Sequence, residues 1–211
     1  MANYFYTYMR FDTQAERKIG LPGLVFQYSL EDFFAKKTLC IETMLDSTKD
    51  GIQHYLGRRY LLDIAETEKR PFIEIRNKKT LVLNINRDTE LEDREKLLTD
   101  WYRKEMERIL PGIVRKWEIK SGLQVDSFGI KRMKTKWGSC NPSHKRIWLN
   151  LELIKKPINC LEYIVVHEMV HFLERTHNDS FISHMDRIMP RWRTLRDDLN
   201  RSPLAHENWE Y

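Results

Sequence analysis

Between Leu161 and Leu173 almost every position is apolar, and Ile164, Val165, Val166, Met169, Val170 and Phe172 leave the segment without a polar face. That pattern predicts a helix buried on most sides. Its start signals lie just upstream. Pro157 holds the entering chain extended, and Asn159 is placed to accept from first-turn amides, with Glu162 three residues on as in a capping box. Ile158 and Tyr163 fit a hydrophobic staple around that start.

Other segments read at other periods. Tyr55–Ile64, Pro71–Arg76 and Thr80–Ile85 predict three strands with Asn77, Lys78 and Lys79 as a turn, together a small antiparallel meander. From Asp88 to about Lys120 the apolar residues Leu98, Tyr102, Met106, Ile109, Ile113 and Trp117 recur at three- and four-residue steps, which predicts a long helix ended by Gly122. Pro111 falls inside it and predicts a kink or a break. Phe128–Met133 and Arg146–Leu151 alternate at period two and are expected to pair across the connection from Trp137 to Ser143. The strand just before the apolar helix is expected to offer an edge to an extended peptide. Two short helices follow, Phe181–Met189 and Arg191–Leu199, divided by Pro190.

Residues 1–50 carry a short aromatic segment (Tyr4, Phe5, Tyr6, Tyr8), a turn signal at Leu21-Pro22-Gly23 and a mixed stretch through Phe33, Phe34 and Leu39. No chemistry is readable there. The whole predicts an α+β chain: an N-terminal segment 1–50, a lobe of meander and long helix over 51–125, and a second lobe over 126–211 built on a small antiparallel sheet and the buried helix.

The polar residues inside the apolar helix change this picture. His167 and His171 are four residues apart, so on a helix they stand on one face, close enough to reach one ion. Glu168 lies about 100° further round, beside such an ion, where a carboxylate can deprotonate a metal-bound water. His177 comes six residues after His171, so the chain must leave the helix after about Arg175 and fold back for a third imidazole to join. Three nitrogens would leave a fourth tetrahedral position open, as catalytic zinc requires. The plain alternative is a hydrogen-bonded histidine pair in the core. His184 or Glu174 could replace His177, and Cys140 is a soft donor in the vicinity.

Composition bounds the rest. The chain has 211 residues, 41% of them apolar and 11% aromatic, which is enough to bury a core without help. A net charge of +5 spread among nearly as many acids as bases describes a solvated surface, with only weak support for nucleic-acid binding. Cys40, Cys140 and Cys160 are an odd number without paired spacing, which favours a reducing compartment over a disulfide framework. No apolar run is long enough for a membrane span and no secretory leader is visible, so a soluble cytoplasmic protein is expected.

The segments Lys134-Thr-Lys-Trp-Gly-Ser-Cys140, Ile147-Trp-Leu-Asn150, Tyr163-Ile-Val-Val-His-Glu-Met-Val-His171, His177 and Phe181, in this order and at these gaps, resemble the YgjP-like metallopeptidase family. Tyr55–Tyr60 and Trp101–Lys104 resemble that family's N-terminal lobe, so the likeness runs over roughly residues 54–200. Lys136 and Ile182 depart from residues common in the family, Arg and Trp respectively. The resemblance implies a zincin-like domain with one zinc per chain on His167, His171 and His177. Glu168 would be the general base of a metal-dependent hydrolase acting on a peptide or protein. Similar bacterial proteins are linked to hydrolysis of nucleoside triphosphates, notably UTP, to release diphosphate. The related SprT-like and WLM zincins act on proteins attached to DNA, and a non-catalytic metal-stabilised binding module is a further alternative. Gly138 is expected to supply a turn conformation closed to other residues, and Trp137 to roof the cleft.

Overall fold

A computed structural model describes residues 51–201 of the chain. The aromatic segment, the turn signal at residues 21–23 and Cys40 lie outside them. The described chain is α+β, as its patterning predicts. Two small sheets and four helices follow in order: β1 (Ile52–Tyr55), β2 (Arg58–Glu66), β3 (Phe72–Arg76), β4 (Thr80–Ile85), α1 (Leu91–Ser121), β5 (Ser127–Lys131), β6 (Gly138–Asn141), β7 (Arg146–Asn150), α2 (Ile158–Val170), α3 (Asp179–Ile188) and α4 (Trp192–Asn200). None of these helices is long and apolar enough to cross a membrane.

The first sheet corrects the meander. Its order is β1-β2-β4-β3, with β2 and β4 parallel and the other neighbours antiparallel. The expected first strand is in fact a hairpin that turns at Leu56 and Gly57, both with positive φ (48° and 76°). β4 takes an inner position because Leu81 to Ile85 are buried without interruption, whereas β3 exposes Phe72, Ile75 and Arg76 and suits an edge. The turn at Asn77 and Lys78 is where it was expected, both residues being left-handed.

The second sheet is also mixed rather than antiparallel. Its order is β5-β7-β6: β5 runs parallel to β7, and β6 is antiparallel to it. The connection expected to be a plain turn supplies a strand of its own. β7, just before the buried helix, is therefore central and has no free edge; within this sheet the edge beside α2 belongs to β6.

α1 runs unbroken through Pro111 and ends on Gly122, whose left-handed conformation (φ 74°) is that of a helix-terminating glycine. Pro111 does not break it because the ring sits on the exposed face. The carbonyl it leaves without a partner, on Glu107, is on that solvent side as well. The opposite face carries Tyr102, Met106, Leu110, Ile113, Val114 and Trp117 into one buried cluster with Leu81, Leu83, Ile147, Leu149 and most of α2. α2 starts at Ile158 behind Pro157, without a side-chain cap. Asn159 therefore falls inside the first turn, and Glu162 instead pairs with Lys116 of α1 at 2.7 Å. The expected capping box is absent because the helix starts one residue before Asn159, and because Glu162 pairs with α1.

One buried polar residue fastens the loop ahead of β6. Asn150, at the end of β7, donates from Nδ2 to the carbonyls of Met133 and Lys136, both at 2.9 Å, and accepts from the amides of Met133 and Glu152. Its own amide donates to the Trp137 carbonyl at 2.8 Å. Leaving these backbone groups without their partner costs about 2 kcal/mol or more. Asn150→Ala is therefore expected to lower the urea unfolding midpoint by a corresponding amount with an unchanged m-value.

Candidate metal centre

α2 carries the first part of the site. From Cys160 to Val170 it is buried at every position except Glu162, and His167 and Glu168 are as enclosed as their apolar neighbours. The helix ends at Val170, earlier than expected, and His171 caps it while still in helical conformation. A last turn, closed by the Glu174 amide on the Val170 carbonyl at 3.1 Å, reverses the chain. Glu174 Oε1 then accepts from the amide and hydroxyl of Thr176, which tightens the loop leading to His177. Asn178 closes it by accepting from the Phe181 amide at 3.1 Å as the cap of α3.

The fold thus brings together His167, His171 and His177, whose ligand atoms all lie within 4.8 Å of one another. Nε2 of His167 is 3.2 Å from Nε2 of His171 and 3.1 Å from Nε2 of His177. Phe181 is the post around which they gather, its ring centroid 5.0, 4.8 and 4.7 Å from those of His167, His171 and His177. It is buried and stands at the first inward position of α3. The signal that could have assigned it this role is its place, four residues after the third histidine and just inside a capped helix.

The residues present fit a metal. Nδ1 of His171 lies 3.0 Å from the Glu174 carbonyl, an acceptor only, so Nδ1 carries the proton and Nε2 turns a lone pair toward the other two rings. Burial, reinforced by the neighbouring His171 and His177, pushes His167 down to about 2, and burial likewise lowers His171 and His177. All three rings are neutral at pH 7. Tetrahedral zinc with bonds of about 2.0–2.1 Å sets its nitrogens about 3.3 Å apart, close to the two spacings from His167. No fourth His, Cys, Asp or Glu joins this group among the described residues.

Glu168 follows His167 in α2 and is buried, its carboxylate facing β6. Burial pushes its carboxyl up to about 8, opposed by the charge of Lys136 and by a hydrogen bond from the Cys140 thiol. Cys140 is itself raised to about 11, first by burial and then by the Glu168 charge, so it remains a protonated donor outside the imidazole group. His184 is also outside, next to Arg187 at 3.3 Å. Trp137 does not roof a cleft; it is buried in the core with the Lys156 ammonium 5.6 Å from its ring. Gly138 has no positive φ, so the turn argument for it fails. It faces Glu168, and a Cβ there would stand 2.5 Å from Oε1 and 2.9 Å from Cδ and Cγ of that residue.

Comparison with known proteins gives this geometry a context. The family described as YgjP-like, metallopeptidase domain, matches residues 7–202. Its span takes in most of the first fifty residues, in which no motif is recognisable. No curated protein matches the chain significantly. Two crystal structures of metallopeptidase zymogens are similar to parts of it. Abylysin of Pyrococcus abyssi is 19% identical with a TM-score of 0.40, covering 43% of this chain and 90% of its own. Jannalysin of Methanocaldococcus jannaschii is 22% identical with a TM-score of 0.38, covering 42% and 91%.

If the three imidazoles are the complete protein share of a metal site, purified protein binds about one zinc per chain. Zinc then raises the melting temperature with the logarithm of its free concentration once that exceeds Kd. His167→Ala, His171→Ala and His177→Ala are each expected to abolish both effects in metal analysis and thermal melts. Full zinc retention by His177→Ala would remove that residue from the ligand set.

Proposed function

The chain belongs to the YgjP-like metallopeptidase family, and from that premise we propose that it is a zinc-dependent peptidase. In this reading His167, His171 and His177 hold the ion and Glu168 is the general base. The observation that carries it is the open donor set: three neutral nitrogens converge, and among the described residues no fourth protein ligand closes the group. A purely structural zinc site is closed by four protein ligands. A gradient of exposure supports the same reading, since His167 is buried, His171 half-buried and His177 exposed, leaving one side accessible to water and substrate.

When bound, zinc would polarise a peptide carbonyl, lower the pKa of a water toward about 7 and favour the ionised form of Glu168. Glu168 supplies the proton traffic. Its carboxylate takes a proton from the attacking water and passes it to the nitrogen of the leaving amine. Burial raises the carboxyl, which helps it hold the proton between the two steps. Lys136 and the Cys140 thiol oppose that rise and favour the charged form that must accept the proton. His171 contributes through its neighbour: the Glu174 carbonyl fixes the ring's orientation and tautomer, so that no reorganisation is needed when the ion enters.

Glu168→Gln keeps the shape of the side chain and removes the base. It is expected to retain zinc and its melting temperature while cleavage of an unfolded protein substrate falls by roughly 10²–10⁴-fold. Parallel assays with UTP, reading diphosphate release, test the nucleotide chemistry on the same pair of proteins. Equal behaviour of wild type and Glu168→Gln on every substrate would defeat the enzyme reading.

A further inference from the structure

We propose that Gly138 is a positioning residue for the Glu168 carboxylate: the empty side-chain place on β6 sets where the general base stands. This rests on the role given to Glu168 above and extends it to a residue outside the metal helix. The steric observation is direct. A Cβ at position 138 would lie 2.5 Å from Glu168 Oε1 and 2.9 Å from Cδ and Cγ, whereas ordinary contacts of this kind begin near 3.4 Å. No positive φ demands glycine at this place, so the requirement is for space rather than for a backbone conformation.

Which partner would give way is decided by how β6 is held. Gly138 opposes Leu149 in an antiparallel register that continues through Ser139, Cys140 and Asn141. Leu149 is fully buried. Immediately upstream, Asn150 ties the carbonyls of Lys136 and Trp137 through its side chain and its amide, at 2.9 and 2.8 Å. The strand is anchored on both sides of the glycine. Glu168 is anchored by its backbone in α2, and its carboxylate, held by a single thiol hydrogen bond from Cys140, is the far end of a flexible side chain. A methyl group at 138 therefore displaces the carboxylate, which must retreat by about 1 Å to restore a normal contact. A misplacement of that size at a reacting centre can cost on the order of 100-fold in rate.

The test is a double-mutant cycle read by stability as well as by turnover. Gly138→Ala is expected to lower the urea midpoint of otherwise wild-type protein and to leave that midpoint unchanged, or raise it, in a Glu168→Ala background, where no carboxylate meets the new methyl. Zinc content should stay at the wild-type level, with kcat on a peptide substrate reduced roughly 100-fold and KM little changed. Should Gly138→Ala fail to fold alone but fold with Glu168→Ala, the coupling is shown in its strongest form. Equal penalties in both backgrounds, failure to fold in both, or loss of zinc from Gly138→Ala would overturn the proposal. The stability cycle does not depend on catalysis. Coupling between the two positions, with Glu168→Gln fully active, would remove the general-base reading and leave the steric contact standing.

Discussion

Three imidazoles gathered on an otherwise apolar helix and the loop behind it, with Nε2 of His167 3.2 and 3.1 Å from those of His171 and His177, are the constraint to which the rest of this fold answers. A proton added to His167 meets both burial and the neighbouring His171 and His177, which is why that ring is pushed down to about 2. Such a cluster is costly in a hydrophobic interior unless a cation shares it. The surrounding structure accepts the cost by fixing each ring. α2 sets the spacing of His167 and His171, the Glu174 carbonyl holds the tautomer of His171, and Phe181 fills the space between the rings.

The second sheet and α1 serve this centre from behind. α1 lays Leu110, Ile113, Val114 and Trp117 into the cluster that buries α2, and the pair Lys116–Glu162 links the two helices at the surface. That ion pair is half-exposed on the lysine side and contributes little to stability; apolar burial does the holding. β6 and β7 pack on the helix as well, and β6 brings Gly138 and Cys140 to Glu168. The three histidines and the Glu168 carboxylate are thus supported by different elements, the histidines by α2, its returning loop and α3, the carboxylate by β6.

Much of this was legible in the sequence because the signals were local. An unbroken apolar run interrupted by His167, Glu168 and His171 has few other readings, Pro190 divides two helices in the chain as in the structure, and Gly122 ends α1 where a helix needs a left-handed residue. Sheet order was not legible. Period-two alternation identifies a strand and its faces but does not name its neighbours, so β4 moved between β2 and β3, and a strand appeared where a turn was expected. The Leu56–Gly57 hairpin was hidden for a related reason: one glycine inside an otherwise continuous strand pattern is compatible with a bulge, a close approach or a turn. Asn159 and Glu162 had the right spacing for a capping box, yet spacing does not say where a helix begins, and the start at Ile158 made the pair irrelevant.

Gly138 shows most clearly where sequence reasoning stops. A glycine beside a functional motif invites a conformational explanation, because its freedom in φ is a property of the residue itself. The requirement found here belongs to another element, thirty residues away in the chain, whose carboxylate occupies the volume a side chain would take. Only the packing of β6 on α2 turns that absence into a constraint. The same logic applies to Asn150, an unremarkable polar residue at the end of an alternating strand, which becomes the fastening of the segment that delivers Gly138 because its amide meets two carbonyls at 2.9 Å. A buried side chain with that many backbone partners resists displacement. The geometry of the Glu168 carboxylate is therefore held from outside its own helix, by a strand that gives it room and an amide that keeps the strand in place.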